Sequence, residues 1–125
     1  MSEAGLWQQR LTRLGAAAGA LALAVATGLS AYAAHGVSGD DQVRAYTAAA
    51  MLAVHGLGLL ALPRVASGWL WSAVRIGLLL GLLLFVGSLL TAVFFGWRAW
   101  LAPAGGSLLI LSWLLATIAL LRVAK

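Results

Sequence analysis

Between Arg75 and Arg98 the chain runs without one charged residue. A stretch of that kind is what a helix needs to cross a hydrocarbon core about 30 Å thick, which takes about 20 residues. Three more stretches behave in the same way, giving four spans numbered in chain order. The first covers residues 14–34 and contains no charge. The second covers 45–62 and is closed by Pro63, which cannot continue an intrahelical hydrogen-bond ladder. The third occupies 76–97, and the fourth 101–121, with Pro103 in the first-turn position that suits it. A polar turn, Ser38-Gly39-Asp40-Asp41, divides the first two. Inside a bilayer the backbone must satisfy its own polar groups, which helices and closed barrels do. The run Gly77-Leu78-Leu79-Leu80-Gly81-Leu82-Leu83-Leu84 lacks the alternation of a membrane strand. The expected fold class is therefore an all-α membrane protein, an antiparallel four-helix transmembrane bundle forming one domain over residues 1–125.

Composition agrees. Apolar residues make up 63% and charged residues 9%, with a mean hydropathy of +1.01, whereas soluble domains carry about 25% charged residues. A water-soluble chain of 125 residues could not hide that much apolar surface. The net charge of +5 does not point to nucleic acid, because the basic residues stand at the ends of apolar runs rather than on one polar face. That placement suits anionic headgroups and sets orientation. Arg10, Arg13, Arg64, Arg75, Arg122 and Lys125 fall on one side, and only Arg44 and Arg98 on the other. Both termini are expected to face the cytoplasm. Trp7, Trp69, Trp71, Trp97 and Trp100 stand at span ends, where an aromatic belt belongs, and Trp113 falls inside a span. Arg10 and Arg13, an apolar run and Ala31-Tyr32-Ala33 also have the layout of a signal peptide. The apolar run is span-length, however, and the reading as a retained first span is preferred. The absence of cysteine excludes disulfides and cysteine-ligated metals.

Helices in lipid associate through close packing of small residues. In the first span Gly15, Gly19, Ala22, Ala26, Ser30 and Ala33 follow at steps of three or four and should share one face. The second span has Ala45, Ala49, Ala53 and Gly56, and the fourth Ser112, Ala116 and Ala119. In the third, Gly77 and Gly81 form a GxxxG pair continued by Ser88 and Thr91. Gly15, Gly19, Gly77 and Gly81 are the expected helix-packing face. Gly105 and Gly106 should give the fourth helix a close approach to a neighbour.

Few residues could carry chemistry. The three acids, Glu3, Asp40 and Asp41, lie outside every span, so no relay of ionisable groups crosses the membrane. Asp41 and Arg44 should pair at the start of the second helix, with Asp40 or Ser38 capping it. His55 falls within the second span and should face the bundle. It reads either as a ligand or proton site or as a neutral imidazole bonded across helices to a hydroxyl such as Ser30, Ser88 or Ser112. His35 stands at the outer end of the first span, where an interfacial capping role fits. The two histidines differ in depth, which disfavours a shared metal, and the narrow seams disfavour haem. No phosphate loop, zinc-protease helix or nucleophile elbow is present. No enzyme activity and no cofactor are expected.

Four segments, in order, carry a family resemblance: Ala34-His35-Gly36, His55, Phe85-Val86-Gly87-Ser88-Leu89, and Pro103-Ala104-Gly105-Gly106. With these the chain resembles the YgdD-like family of small four-span membrane proteins, a domain of unknown function (number 423) related to a mitochondrial transmembrane protein of animals. The resemblance covers nearly everything after Arg13. It implies four helices and a bacterial inner-membrane location, and it brings no activity. The family tends to have tyrosine and glutamine before the second-span histidine, where this chain has Met51, Leu52, Ala53 and Val54. Val86 stands where serine is common. Both departures remove polarity from around His55.

The expected partners are the bilayer and either a membrane protein or further copies of the chain. The leading expectation is an accessory or assembly subunit. Two alternatives stay open. One is a small transporter or channel using His55, and the other is a lipid-binding membrane-stress protein.

Overall fold

The computed structural model of the chain describes residues 2–62 and 68–123. Pro63, Arg64 and Lys125, on which part of the orientation and helix-end reading falls, lie outside the described residues. Four helices follow one another: α1 (Glu3–His35), α2 (Gly39–Ala61), α3 (Trp69–Phe95) and α4 (Ala102–Val123). All four are long and apolar enough to cross a membrane.

The helices outrun the apolar stretches. α1 starts about three turns before residue 14. Ser2 caps it by accepting the Gly5 N–H at 3.2 Å, Ala4, Leu6, Gln8 and Gln9 are sound helix formers, and Leu11 is buried. At the other end the Gly36 N–H donates to the Tyr32 carbonyl at 2.7 Å. α2 starts ahead of residue 45, with Asp40 and Asp41 in a first turn whose dipole favours acids. Ser38 stands at the capping position, but its side chain makes no capping bond. The expected Asp41–Arg44 pair forms at 2.9 Å, exposed and three residues apart. α3 stops at Phe95 rather than at 97. Gly96 adopts a left-handed conformation (φ 66°) that favours glycine, and its N–H caps the Ala92 carbonyl. Pro103 occupies the first turn of α4, as the sequence predicts.

α1 packs on α2 and α3 on α4, while α2 against α3 joins the two pairs. α1 touches α3 only lightly. The core runs between the pairs, with Leu59, Leu78 and Val74 fully enclosed. Trp71 belongs to this core, at 3% exposure. The aromatic-belt expectation fails for it because α3 begins early and turns that position inward. Trp7, Trp69, Trp97 and Trp100 are exposed, as a belt requires.

Candidate functional site

The small residues act first. A Cβ added at Gly19 would lie 2.6 Å from the Gly56 carbonyl oxygen, and one at Gly56 would lie 2.8 Å from the Gly19 oxygen. The α1/α2 seam is thus closed backbone to backbone, and only glycine permits it at these two positions. Ala22, Ala26 and Ala33 continue the buried row on α1. Ser30 does not; it is exposed and Leu29 is buried in its place. On α2 Ala45, Ala49 and Gly56 are buried and Ala53 is half-buried.

The α3/α4 seam repeats the device. A Cβ added at Gly81 would lie 2.9 Å from the Leu109 side chain and 3.0 Å from the Gly105 carbonyl oxygen, and one at Gly105 would stand 2.5 Å from the Phe85 nitrogen. Gly77 lies directly under the Ser112 hydroxyl. The GxxxG pair of α3 is therefore spent inside the chain, on α4. Gly15 does something else: its neighbour is the Arg75 side chain, with Cδ 3.7 Å from an added Cβ.

His55 is buried, at 5% exposure. Its Nδ1 lies 2.8 Å from the Met51 carbonyl, one turn earlier on the same helix. The imidazole bond is thus made within α2 rather than to a hydroxyl across the bundle. Ser112 donates to Leu108 on its own helix at 2.7 Å. What reaches His55 from across the bundle is Trp113, whose ring centre lies 6.0 Å away and whose edge rests on Gly58. Ser88 is buried and works elsewhere. Its hydroxyl accepts the Leu101 N–H at 3.2 Å and so holds the start of α4 to the body of α3. His35, the last residue of α1, is exposed. The candidate polar residues His35, His55 and Ser88 are therefore not brought into one site. No group of three or more metal-ligating side chains occurs among the described residues.

A polar feature does form where α1 and α3 begin. Arg75 is 2% exposed and donates to the Leu62 carbonyl at 3.3 Å, tying α3 to the end of α2. With Arg13, Gln8, Thr12 and Ser72 it lines a groove of about 330 Å³ between the two helices. Sequence reasoning used Arg13 and Arg75 only as orientation markers. The available signal was positional, since each stands one residue before an uncharged run and Gly15 lies beside them in α1. At the opposite end of the chain's helices Tyr32 stacks on Phe94 at 5.4 Å, Phe95 on Trp97 at 5.6 Å, and Arg98 sits 4.9 Å above the Trp100 ring.

Four helices of this length and composition define a multi-pass membrane protein. The family model described as "Protein of unknown function (DUF423)" matches residues 29–106, more than half of the chain, and the chain belongs to that family. The match includes His35, His55, Ser88 and Gly105. No curated protein and no solved structure matches the chain.

Proposed function

We propose that the chain is a non-catalytic accessory or assembly subunit of a larger membrane complex in a bacterial inner membrane, built as an antiparallel bundle with both termini cytoplasmic. One observation carries the reading. The outer face of α1 carries a row of small residues, Ala17, Ala20, Ala24 and Gly28, all exposed beside the bulkier Leu14 and Leu21, and nothing lies within 4 Å of an added Gly28 Cβ. The outer face of α4 presents Ile110, Leu111, Leu114, Ile118 and Leu121 instead. Bulky side chains suit lipid, whereas small ones at steps of three and four suit a second helix. The glycines of the α1/α2 and α3/α4 seams are consumed within the chain, and this row is left over. The antiparallel arrangement is supported by register: Gly19 meets Gly56, while Gln42 donates to the Ala33 carbonyl at 2.9 Å.

The test is purification of the tagged chain from native membranes in a mild detergent, with companions identified by mass spectrometry. A stoichiometric companion that is lost in Ala24→Leu and kept in Ile118→Ala supports the reading. A stable particle free of partners, unchanged by Ala24→Leu, removes it.

A further inference from the structure

The α1/α3 seam stays open along much of its length. At its mouth lies the arginine groove described above. Directly below it, on the same two helices, lies a second groove of about 270 Å³ lined by Leu21, Val25, Leu79, Leu83 and Val86, with almost no polar surface. α2 supplies Leu52 to its floor. The two grooves follow one another in both sequences: Gln8 to Arg13 and then Ala18 to Val25 on α1, Ser72 to Arg75 and then Leu79 to Leu90 on α3. Gly15 lies between them on α1, with the Arg75 side chain packed beside it.

The dimensions are those of one lipid leaflet. From Arg13 to Val25 the helix rises about 18 Å, against about 15 Å for half of a hydrocarbon core. Arg13 and Arg75 each immediately precede an uncharged run of about 20 residues, the length that spans the core. Their guanidinium groups thus stand at the headgroup boundary, and the apolar groove stands inside the hydrocarbon. No residue lining either groove is acidic. Two cations lining one cleft favour an anion, and a guanidinium binds phosphate oxygens with directed hydrogen bonds.

We propose that this cleft is a binding site for one anionic phospholipid, with its phosphate held at Arg13 and Arg75 and one acyl chain lying along Leu21, Val25, Leu79 and Leu83. Ser72, Thr12 and Gln8 supply neutral hydrogen-bonding groups around the headgroup. The site goes beyond the accessory reading, and neither depends on the other.

The experiment uses the full chain, delipidated in a neutral detergent, with bound lipid measured by native mass spectrometry. The probes are dioleoylphosphatidylglycerol, dioleoylphosphatidylcholine and free glycerol 3-phosphate. The anionic lipid is expected to bind about thirtyfold more tightly than the zwitterionic one, the scale of a surface electrostatic contribution from two basic residues. Arg13→Gln should cut that preference about fivefold, with Arg75 still in place, while Arg10→Gln, on the same side of the membrane, should leave most of it. Val25→Trp, at an exposed position in the apolar groove, should weaken both lipids several-fold and keep the preference. Arg75→Gln is avoided as sole evidence, because Arg75 also ties α3 to Leu62; circular dichroism and gel filtration establish that the variants used are folded. Equal binding of the two lipids overturns the proposal, as does an anionic preference that Arg13→Gln leaves intact. Displacement of the lipid by glycerol 3-phosphate at similar concentration overturns it too, since the ligand would then be a soluble phosphate.

Discussion

α1 makes two seams that could hardly differ more. Against α2 it closes to backbone distance through Gly19 and Gly56, and its row of alanines meets another. Against α3 it barely closes, and larger side chains, Leu21, Val25, Leu79 and Leu83, stand beside a groove they do not fill. In lipid, apolar surface by itself draws no two helices together, because the chains of the bilayer are as apolar as leucine. What distinguishes the seams is therefore the size of the residues that face each other. Where glycine faces glycine the protein outcompetes lipid for its own surface. Where leucine faces leucine a lipid chain competes on equal terms.

The most severe way to break the closed seams is to put side chains where backbones touch. Gly105→Leu places its Cβ against the Phe85 nitrogen at 2.5 Å, and backbone cannot rotate away as a side chain can. A loss of about 3 kcal/mol or more is expected, read from reversible unfolding in mixed detergent micelles. Gly19→Leu should behave alike on the α1/α2 side. Gly15→Ala, facing the tip of a flexible arginine at 3.7 Å, should cost less than about 1 kcal/mol. Equal effects at Gly105 and Gly15 would erase the distinction between closed and open seams.

Much of this was legible in the sequence. Four uncharged runs announce four helices, and the glycine steps of α1 and α3 announce the closed seams. Hydropathy could not show that α1 begins at Glu3, since its first turns are polar and held by the Ser2 cap and by Leu11. Nor could it show that Gly77 and Gly81 are spent on α4, because GxxxG marks a close contact without naming the partner helix. His55 is buried, as its place within the second span implies, but its bond partner is on its own helix rather than across the bundle. A carbonyl one turn back is always within reach of a helical side chain, and here that local acceptor is Met51. The belt reading holds for Trp69 and fails for Trp71, because position near a span end alone does not say which of two tryptophans faces out. The arginine groove depends on three segments meeting, and no single segment displays it.

The joint between the two helix pairs gives effects of intermediate size. Trp113 bridges α4 to α2 by resting on Gly58 and His55, and no bulky residue of α2 could replace that fit. Trp113→Ala should destabilise by about 2 kcal/mol, less than a fully enclosed tryptophan because the ring is half-buried. Thermal unfolding monitored by near-ultraviolet circular dichroism would read it. Ser88→Ala should cost about 1 kcal/mol by leaving the Leu101 N–H without its acceptor. The loss should be localised, with faster amide exchange at the start of α4 than at its centre. A uniform increase in exchange along α4 would mean that Ser88 supports the whole helix rather than its first turn.

The smallest expected effect on the isolated chain is the most informative about α1's outer face. Gly28 meets nothing within 4 Å, and it sits in line with Ala20 and Ala24. Gly28→Leu removes a flexible residue from a helix interior and adds a side chain that lipid accepts, so stability should change by no more than about 1 kcal/mol. If the face serves only lipid, the variant should also leave association in native membranes untouched, since leucine and lipid are interchangeable there. If a second helix packs on it, the same substitution should abolish that association while thermal stability stays level. The two measurements must separate, with unfolding unchanged and companion lost. A variant that loses both would show that the outer face of α1 belongs to the chain's own fold, and the contrast with the bulky face of α4 would then carry no functional weight.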